Sequence, residues 1–231
     1  MGAVPAVRRR PVRLTTGRWA VERARGDAGA FHRRSWPSPA RPTVSVFEVD
    51  RPALVLGSTQ PWSADDAGRA AAAGVEVVRR HSGGGAVLLR PGAVAWVDVL
   101  VPTGDRLWDR DVNRAFLWLG RAWASALDDV GVGGATVHDG PLGRSPWSPR
   151  VCFAGLGPGE VAVDGRKVVG MSSRRRREGA LFQCAALVEW DPAGIAELIG
   201  APRAELEGVA RGVGAGADEL AGALLGRLSV L

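Results

Sequence analysis

The sequence predicts an α+β fold: a mixed, largely antiparallel sheet flanked by helices, ending in a short helical tail. Three observations carry this. Short apolar, β-prone runs recur through residues 43–101 and 160–190, and residues 112–130 place apolar side chains at helical spacing. Strands and helices also do not alternate in the regular manner of a parallel, doubly wound sheet.

Residues 43–58 read as two apolar strands separated by Asp50, Arg51 and Pro52, which predicts a hairpin. An alanine-rich helix is expected over 65–73, with Ser63 as a candidate N-cap and Gly74 where a terminating glycine belongs. Strand character resumes at 75–78, 86–89 and 93–101, the last two divided by Pro91-Gly92. The helix over 112–130 is marked by apolar residues three and four apart, with Gly131 to end it. Residues 140–158, rich in Gly, Pro and Ser, predict a long loop of the functional kind. Then 160–163 and 166–171 flank Asp164-Gly165, whose tolerance of positive φ specifies a type I′ hairpin. A further strand over 180–190 precedes three short helical patterns. The expected organisation is therefore residues 1–191 as one catalytic-sized domain and 192–231 as a helical C-terminal extension.

Length and composition narrow the function. With 231 residues, 46% of them hydrophobic and 23% charged, the chain can bury a normal core and is neither disordered nor fibrous. Two cysteines, Cys152 and Cys184, make no disulfide framework and fit no zinc-ligand spacing, so a reducing cytoplasm is the expected location and no metal site is expected. No run approaches the roughly 18–20 apolar residues of a membrane span. The arginine-rich start has no apolar block behind it, which excludes a secretory signal and leaves a mitochondrial address as the alternative. A net charge of +6 favours anionic partners without naming one. The run Arg174–Arg177 lacks interleaved aromatics, so nucleic acid is not expected; a solvated loop or the docking of an acidic partner domain or a phosphate are its two readings.

Lys167 is the chain's one lysine among 30 basic residues, and tyrosine is absent. In a sequence so biased towards arginine, a retained lysine suggests that a compact ammonium is needed where a planar guanidinium would not serve. A second chemical feature is Arg79-Arg80-His81-Ser82-Gly83-Gly84-Gly85-Ala86. Consecutive glycines let backbone N–H groups approach a flat or phosphorylated ligand, and arginine forks suit its oxygens. The spacing is neither that of the P-loop nor that of the dinucleotide fingerprint.

These residues resemble the lipoate-protein ligase and octanoyltransferase family, within the larger group of biotin and lipoate ligases. The signature Arg-Arg-x-Ser-Gly-Gly-Gly-Ala-Val stands at 79–87, and a turn followed by lysine and a small-residue strand matches Asp164, Gly165, Lys167 and Gly170. Cys152-Phe153, Glu160 and Lys167 follow in similar order, and residues 42–60 look like a strand pair ending in Gly-x-x-Gln. The resemblance implies a catalytic domain like those of class II synthetases, and attachment of lipoate or octanoate to a lysine of a lipoyl carrier domain in 2-oxoacid dehydrogenase or glycine cleavage complexes. It implies ATP and Mg2+ for a ligase, and neither for a transferase drawing on acyl carrier protein. Arg79, Arg80, Ser82, Gly83, Gly84, Gly85, Ala86, Asp164, Gly165 and Gly170 would bind substrate or nucleotide. Lys167 would polarise the acyl carbonyl, since a fixed ammonium stabilises the developing oxyanion.

Cys152 keeps two readings, an acyl-accepting nucleophile and a buried filler, whereas Cys184 inside an apolar strand reads as core. Where the ligases carry an acidic residue and an amide, this chain has Leu89-Arg90-Pro91-Gly92-Ala93, and Gln183-Cys184-Ala185 replaces a second family block. Those departures motivate the alternative of a catalytically silent acyl- or adenylate-binding module.

Overall fold

The computed structural model describes residues 8–37 and 40–231. Of the arginine-rich start, residues 1–7 lie outside the described residues. The remainder opens an eight-stranded sheet with β1 (Arg8–Thr16), β2 (Trp19–Gly26), β3 (Thr43–Val49), β7 (Val94–Pro102), β8 (Ala135–Val137), β9 (Val161–Val163), β10 (Arg166–Arg176) and β11 (Gly179–Leu187), in spatial order β1-β2-β3-β7-β11-β10-β9-β8. Only β2 and β3 pair in parallel within it. A second sheet holds β4 (Ala53–Leu56), β5 (Glu76–Arg79) and β6 (Val87–Leu89), in order β5-β4-β6. The helices are α1 (Ala28–Arg33), α2 (Ala64–Ala72), α3 (Arg114–Asp129), α4 (Pro192–Ile199) and α5 (Ala217–Ser229).

Alternation along β7 explains the layering. Ala95, Val97, Val99 and Val101 face α3 and α5, joining Leu119, Trp123, Leu220 and Leu224 in one core. Val94 and Trp96 face the other way, towards Phe31, Phe47 and the small sheet's Val55, Val87 and Leu89. The strand is therefore apolar on both faces because both are covered, and the second face is the one that carries the site.

Most predicted elements form. Ser63 caps α2 by accepting from Asp66 N, and Asp66 returns the bond to complete a capping box. Asp164 and Gly165 have φ of 50° and 70°, as the type I′ turn requires.

Two expectations need correction. Residues 43–58 are not a hairpin: β3 pairs with β2 and β7, β4 pairs with β5 and β6, and Asp50-Arg51-Pro52 carries the chain from one sheet to the other. The tail after Asp191 is not a separate appendage either. Leu220, Ala221, Leu224 and Leu228 of α5 sit in the main core, and Ile195 and Ile199 of α4 close a smaller one around Val151. Burial of these apolar faces ties the C-terminal segment to the sheet. Strands β1, β2 and β8 and helix α1 lie outside the elements that the sequence predicts.

Candidate functional site

The site lies between the small sheet and the second face of the large one, and backbone pairing assembles it. The glycine turn leaves β5 and enters β6. Ala86 donates from N to Arg150 O at 2.8 Å, and Cys152 N donates to Ala86 O at 3.0 Å, so the turn and the cysteine segment are stitched side by side. Gln60, 6% exposed, reinforces the seam: its Oε1 accepts from Gly57 N and its Nε2 donates to Arg150 O. Gly85 must lack a side chain, because a Cβ there would lie 2.4 Å from Val151 N. Gly84 has φ of 101° and Gly83 faces open space. Cys152 then opens a short 3-10 turn, Cys152–Ala154, inside the predicted long loop.

Lys167 is brought into the site by a bulge. The pairing of β10 with β9 shifts register between Lys167 and Val169. Val168 and Val169 consequently both face the α3 side core, and Lys167 turns to the opposite face. Its ammonium is 2.7 Å from Glu160 Oε2 and donates to Cys152 O at 3.0 Å and Gly155 O at 3.1 Å. All three N–H donors are thus engaged. Both side chains of the pair are buried, at 4% and 8% exposure. Glu160 also accepts from Gly157 N at 2.7 Å and Met171 N at 2.9 Å, so the pair is fully hydrogen-bonded, as a buried charge pair must be. Gly170 keeps space beside this lysine, since a Cβ there would be 3.1 Å from Lys167 Cε.

Two cationic groups flank the Cys152 sulfur: Arg80 Nη2 at 3.8 Å and Lys167 Nζ at 3.9 Å. Arg80 is 7% exposed and donates to Gly83 O, yet its buried Nε has no partner among the described residues. Such an orphaned donor beside a free thiol fits a ligand oxygen.

Two chambers meet at this point, sharing Arg80, Cys152, Met171 and Ser172. The first is narrow and apolar, running over Gly170 and Ala185 to Trp96 and His32, beneath Val55, Val87 and Leu89. The second is open, about 470 Å³, and is bordered by Gly83, Gly84, Gly85, Arg144 and Lys167. Burial first, and then Arg80, Arg34 and His81, push the His32 imidazole down to about 3, so it stands neutral in the apolar chamber.

Arg79, Ser82, Asp164 and Gly165 do not border either chamber, whereas Gln183 and Cys184 reach the wall of the narrow one. Arg79 points away from Arg80, as neighbours on a strand do, and clamps the 57–60 turn by donating to Gly57 O and Gln60 O. Ser82 accepts from Ser58 N through its carbonyl, and its buried hydroxyl has no partner among the described residues. Asp164 and Gly165 form the tip of the β9–β10 turn, where Asp164 pairs with Arg211. Cys184 is buried in the α3 side core, which raises its thiol well above the usual range. Arg90, where the ligases carry an acidic residue, pairs with Glu189 and Asp191 instead. Gln183 donates to Asp98, itself held by Arg34 and Trp96. Sequence reasoning missed His32, Trp96 and Asp98, which come together only through the sheet.

Three solved structures share the fold. A Thermoplasma acidophilum lipoate protein ligase with lipoic acid bound has 18% identity, covers 91% of this chain and 82% of its own, and superposes with a TM-score of 0.66. A lipoate-protein ligase A bound with ATP has 19% identity, coverage of 91% and 83%, and a TM-score of 0.65. A bipartite lipoate protein ligase from Thermoplasma acidophilum, studied with its E2 lipoyl domain, has 16% identity, coverage of 94% and 84%, and a TM-score of 0.66. No curated protein matches the sequence. The family model for the lipoyl protein ligase A/B catalytic domain matches residues 30–227. The chain therefore belongs to the lipoyl protein ligase A/B catalytic domain family and is a lipoate-protein ligase-like enzyme of the ligase or transferase kind.

Proposed function

We propose that this enzyme moves a medium-chain acyl group, octanoyl or lipoyl, onto the lysine of a lipoyl carrier domain, and that Cys152 carries the acyl group on the way. The observation that carries this reading is the placement of Cys152 Sγ between Arg80 and Lys167, where the apolar chamber opens into the wide one.

The acyl tail occupies the narrow chamber, and the carbonyl carbon sits at the junction. The Cys152 thiolate attacks that carbon; the new C–S bond forms as the donor's C–S bond breaks, and the leaving thiolate takes a proton. The acceptor amine then attacks the enzyme thioester, the C–N bond forms, Cys152 departs as thiolate and the amine loses a proton. In each tetrahedral intermediate the oxygen carries negative charge, which Lys167 and Arg80 are placed to meet. Since all three Lys167 donors are engaged, its bond to Cys152 O or Gly155 O must be exchanged for the acyl oxygen. Glu160, held by two backbone N–H groups, keeps the ammonium in place meanwhile.

The ligase route draws on the same site. The open chamber, with its glycine turn, Arg80 and Lys167, suits an acyl phosphate ester, and ATP when bound would supply the activation of the acid. It offers no protein-held metal: Glu160 is the one carboxylate on its wall among the described residues and is committed to Lys167, so Mg2+ would have to arrive on the nucleotide's phosphates.

Intact mass measurement of the enzyme and a lipoyl domain, after incubation with octanoyl carrier protein or with octanoate, ATP and Mg2+, tests this. The expected result is one octanoyl group on the acceptor, with an octanoyl–Cys152 species from the thioester donor that Cys152→Ala abolishes. An unmodified acceptor with both donors would refute the proposal; transfer by Cys152→Ala from ATP and octanoate alone would select the ligase route.

A further inference from the structure

One charged surface is not used by the chemistry above. Side chains at 170, 172, 174 and 176 share the face of β10 that floors the apolar chamber. Gly170 and Ser172 line the chamber, and Arg174 and Arg176 continue the same face outwards. Arg176 lies over the Trp36 ring, 4.8 Å from its centroid, which holds the guanidinium against the protein. From the opposite wall the glycine turn presents Arg80 and His81. Partial burial, then Arg174 and Arg176, hold the His81 ring below its ordinary value, and partial burial, then Arg176, lowers Arg174. The groups therefore crowd one another.

None of Arg80, His81, Arg174 and Arg176 has a carboxylate within 4.0 Å among the described residues. Three other arginines near the site are neutralised: Arg34 by Asp98, Arg90 by Glu189 and Asp191, and Arg150 by Asp66. Converging guanidinium groups without a counter-charge at the mouth of a ligand chamber call for an anion.

Distance along the strand selects its class. At about 3.4 Å per residue, Arg174 lies about 14 Å and Arg176 about 20 Å along β10 from Gly170, which borders the chamber with Cys152. A pantetheine arm has about 13 bonds between its sulfur and its phosphorus, and at the ~1.2 Å per bond of an extended chain it spans about 16 Å. We propose that Arg174 and Arg176, with His81 beside them, bind the phosphate ester of a pantetheine-linked acyl donor whose thioester lies at Cys152. This rests on the acyl-transfer reading of the same site. Coenzyme A and the prosthetic arm of an acyl carrier protein share that phosphate ester.

The test measures binding of phosphopantetheine, pantetheine and inorganic phosphate to the full chain and to Arg174→Gln/Arg176→Gln. Phosphopantetheine should bind at least tenfold tighter than pantetheine, and the double variant should bring the two within twofold, while Arg174→Lys/Arg176→Lys keeps most of the preference. Equal binding of the two compounds by the unaltered chain, or a preference untouched by the double Gln change, would overturn the proposal. The two sources are told apart by octanoyl-CoA and octanoyl carrier protein: a KM increase in the double variant with either one supports the phosphate site and identifies the donor, and no increase with either overturns it. Failure of the transfer reading would look different, with the phosphate preference intact and no acyl group on Cys152.

Discussion

Trp96 should set the length of the acyl chain. The chamber crosses the sheet from Gly170 on β10, past Ala185 on β11, to Trp96 on β7, and these three are paired across adjacent strands. Two inter-strand spacings of about 4.8 Å give about 9.6 Å. A saturated eight-carbon chain, seven bonds at ~1.2 Å each, extends about 8.4 Å. Beyond Trp96 the space is filled: Phe47 and Phe31 pack on its ring at 5.4 and 5.6 Å between centroids, and His32 at 4.8 Å. Trp96→Ala removes this wall. It should cost about 3–5 kcal/mol of stability, because Trp96 is only 5% exposed and its removal also takes a donor from Asp98. A longer substrate would refill the gap at about 0.8 kcal/mol per methylene, about a fourfold gain in kcat/KM for each added carbon until the space is full. The assay is the chain-length profile from six to sixteen carbons. The optimum should move from about eight carbons to ten or twelve in Trp96→Ala and stay near eight in Trp96→Phe, which keeps most of the ring. An unchanged profile in a folded Trp96→Ala protein would refute the reasoning.

Three further outcomes follow from the same geometry. Lys167→Met leaves Glu160 buried without its cation and should lower stability by about 3–5 kcal/mol, whereas Lys167→Met combined with Glu160→Gln should lose less than the single change; urea unfolding midpoints decide it, and strictly additive losses would contradict the pair. Gly85→Ala forces a methyl group against the Arg150–Val151 backbone and should cost about 1–3 kcal/mol and at least tenfold in transfer rate, as measured by thermal melts and acceptor modification. His32, whose folded pKa is pushed down to about 3 from 6.5, stays neutral while the unfolded chain takes up a proton; its contribution is complete above about pH 6.5 and is lost as pH falls towards 3. His32→Gln should therefore flatten the stability profile across that window, and an unchanged slope would count against the burial of a neutral ring.

The lysine, the cysteine and the glycine turn were legible because each is tied to a residue type that composition or spacing makes conspicuous. Local signals also located α2, α3 and the Asp164-Gly165 turn, whose chemistry is decided within a few residues. What stayed hidden depends on pairing. The run Arg166-Lys167-Val168-Val169 carries no mark of the bulge that turns Lys167 into the site, since the register shift is defined by β9. Two apolar runs around Asp50-Arg51-Pro52 look alike whether they pair with each other or enter different sheets, and only long-range partners settle the matter. Strands β1 and β2 were obscured by their charged residues: Trp19 and Val21 are buried, but Glu22 and Arg25 are exposed and no strict apolar alternation runs through β2. Trp96 and Asp98 read as ordinary members of an apolar strand. Their roles appear once His32, Arg34 and Gln183 are folded against them.

The account turns on Lys167 acting upon the acyl oxygen after the donor is bound. Single-turnover transfer from a preformed octanoyl–Cys152 enzyme to a lipoyl domain, in Glu160→Gln/Lys167→Met and in the unaltered chain, measures this most directly. Donor affinity should stay within about threefold while the transfer rate falls at least a hundredfold, the size of effect expected from removing one oxyanion donor. A transfer rate within a fewfold of the unaltered enzyme would contradict the account.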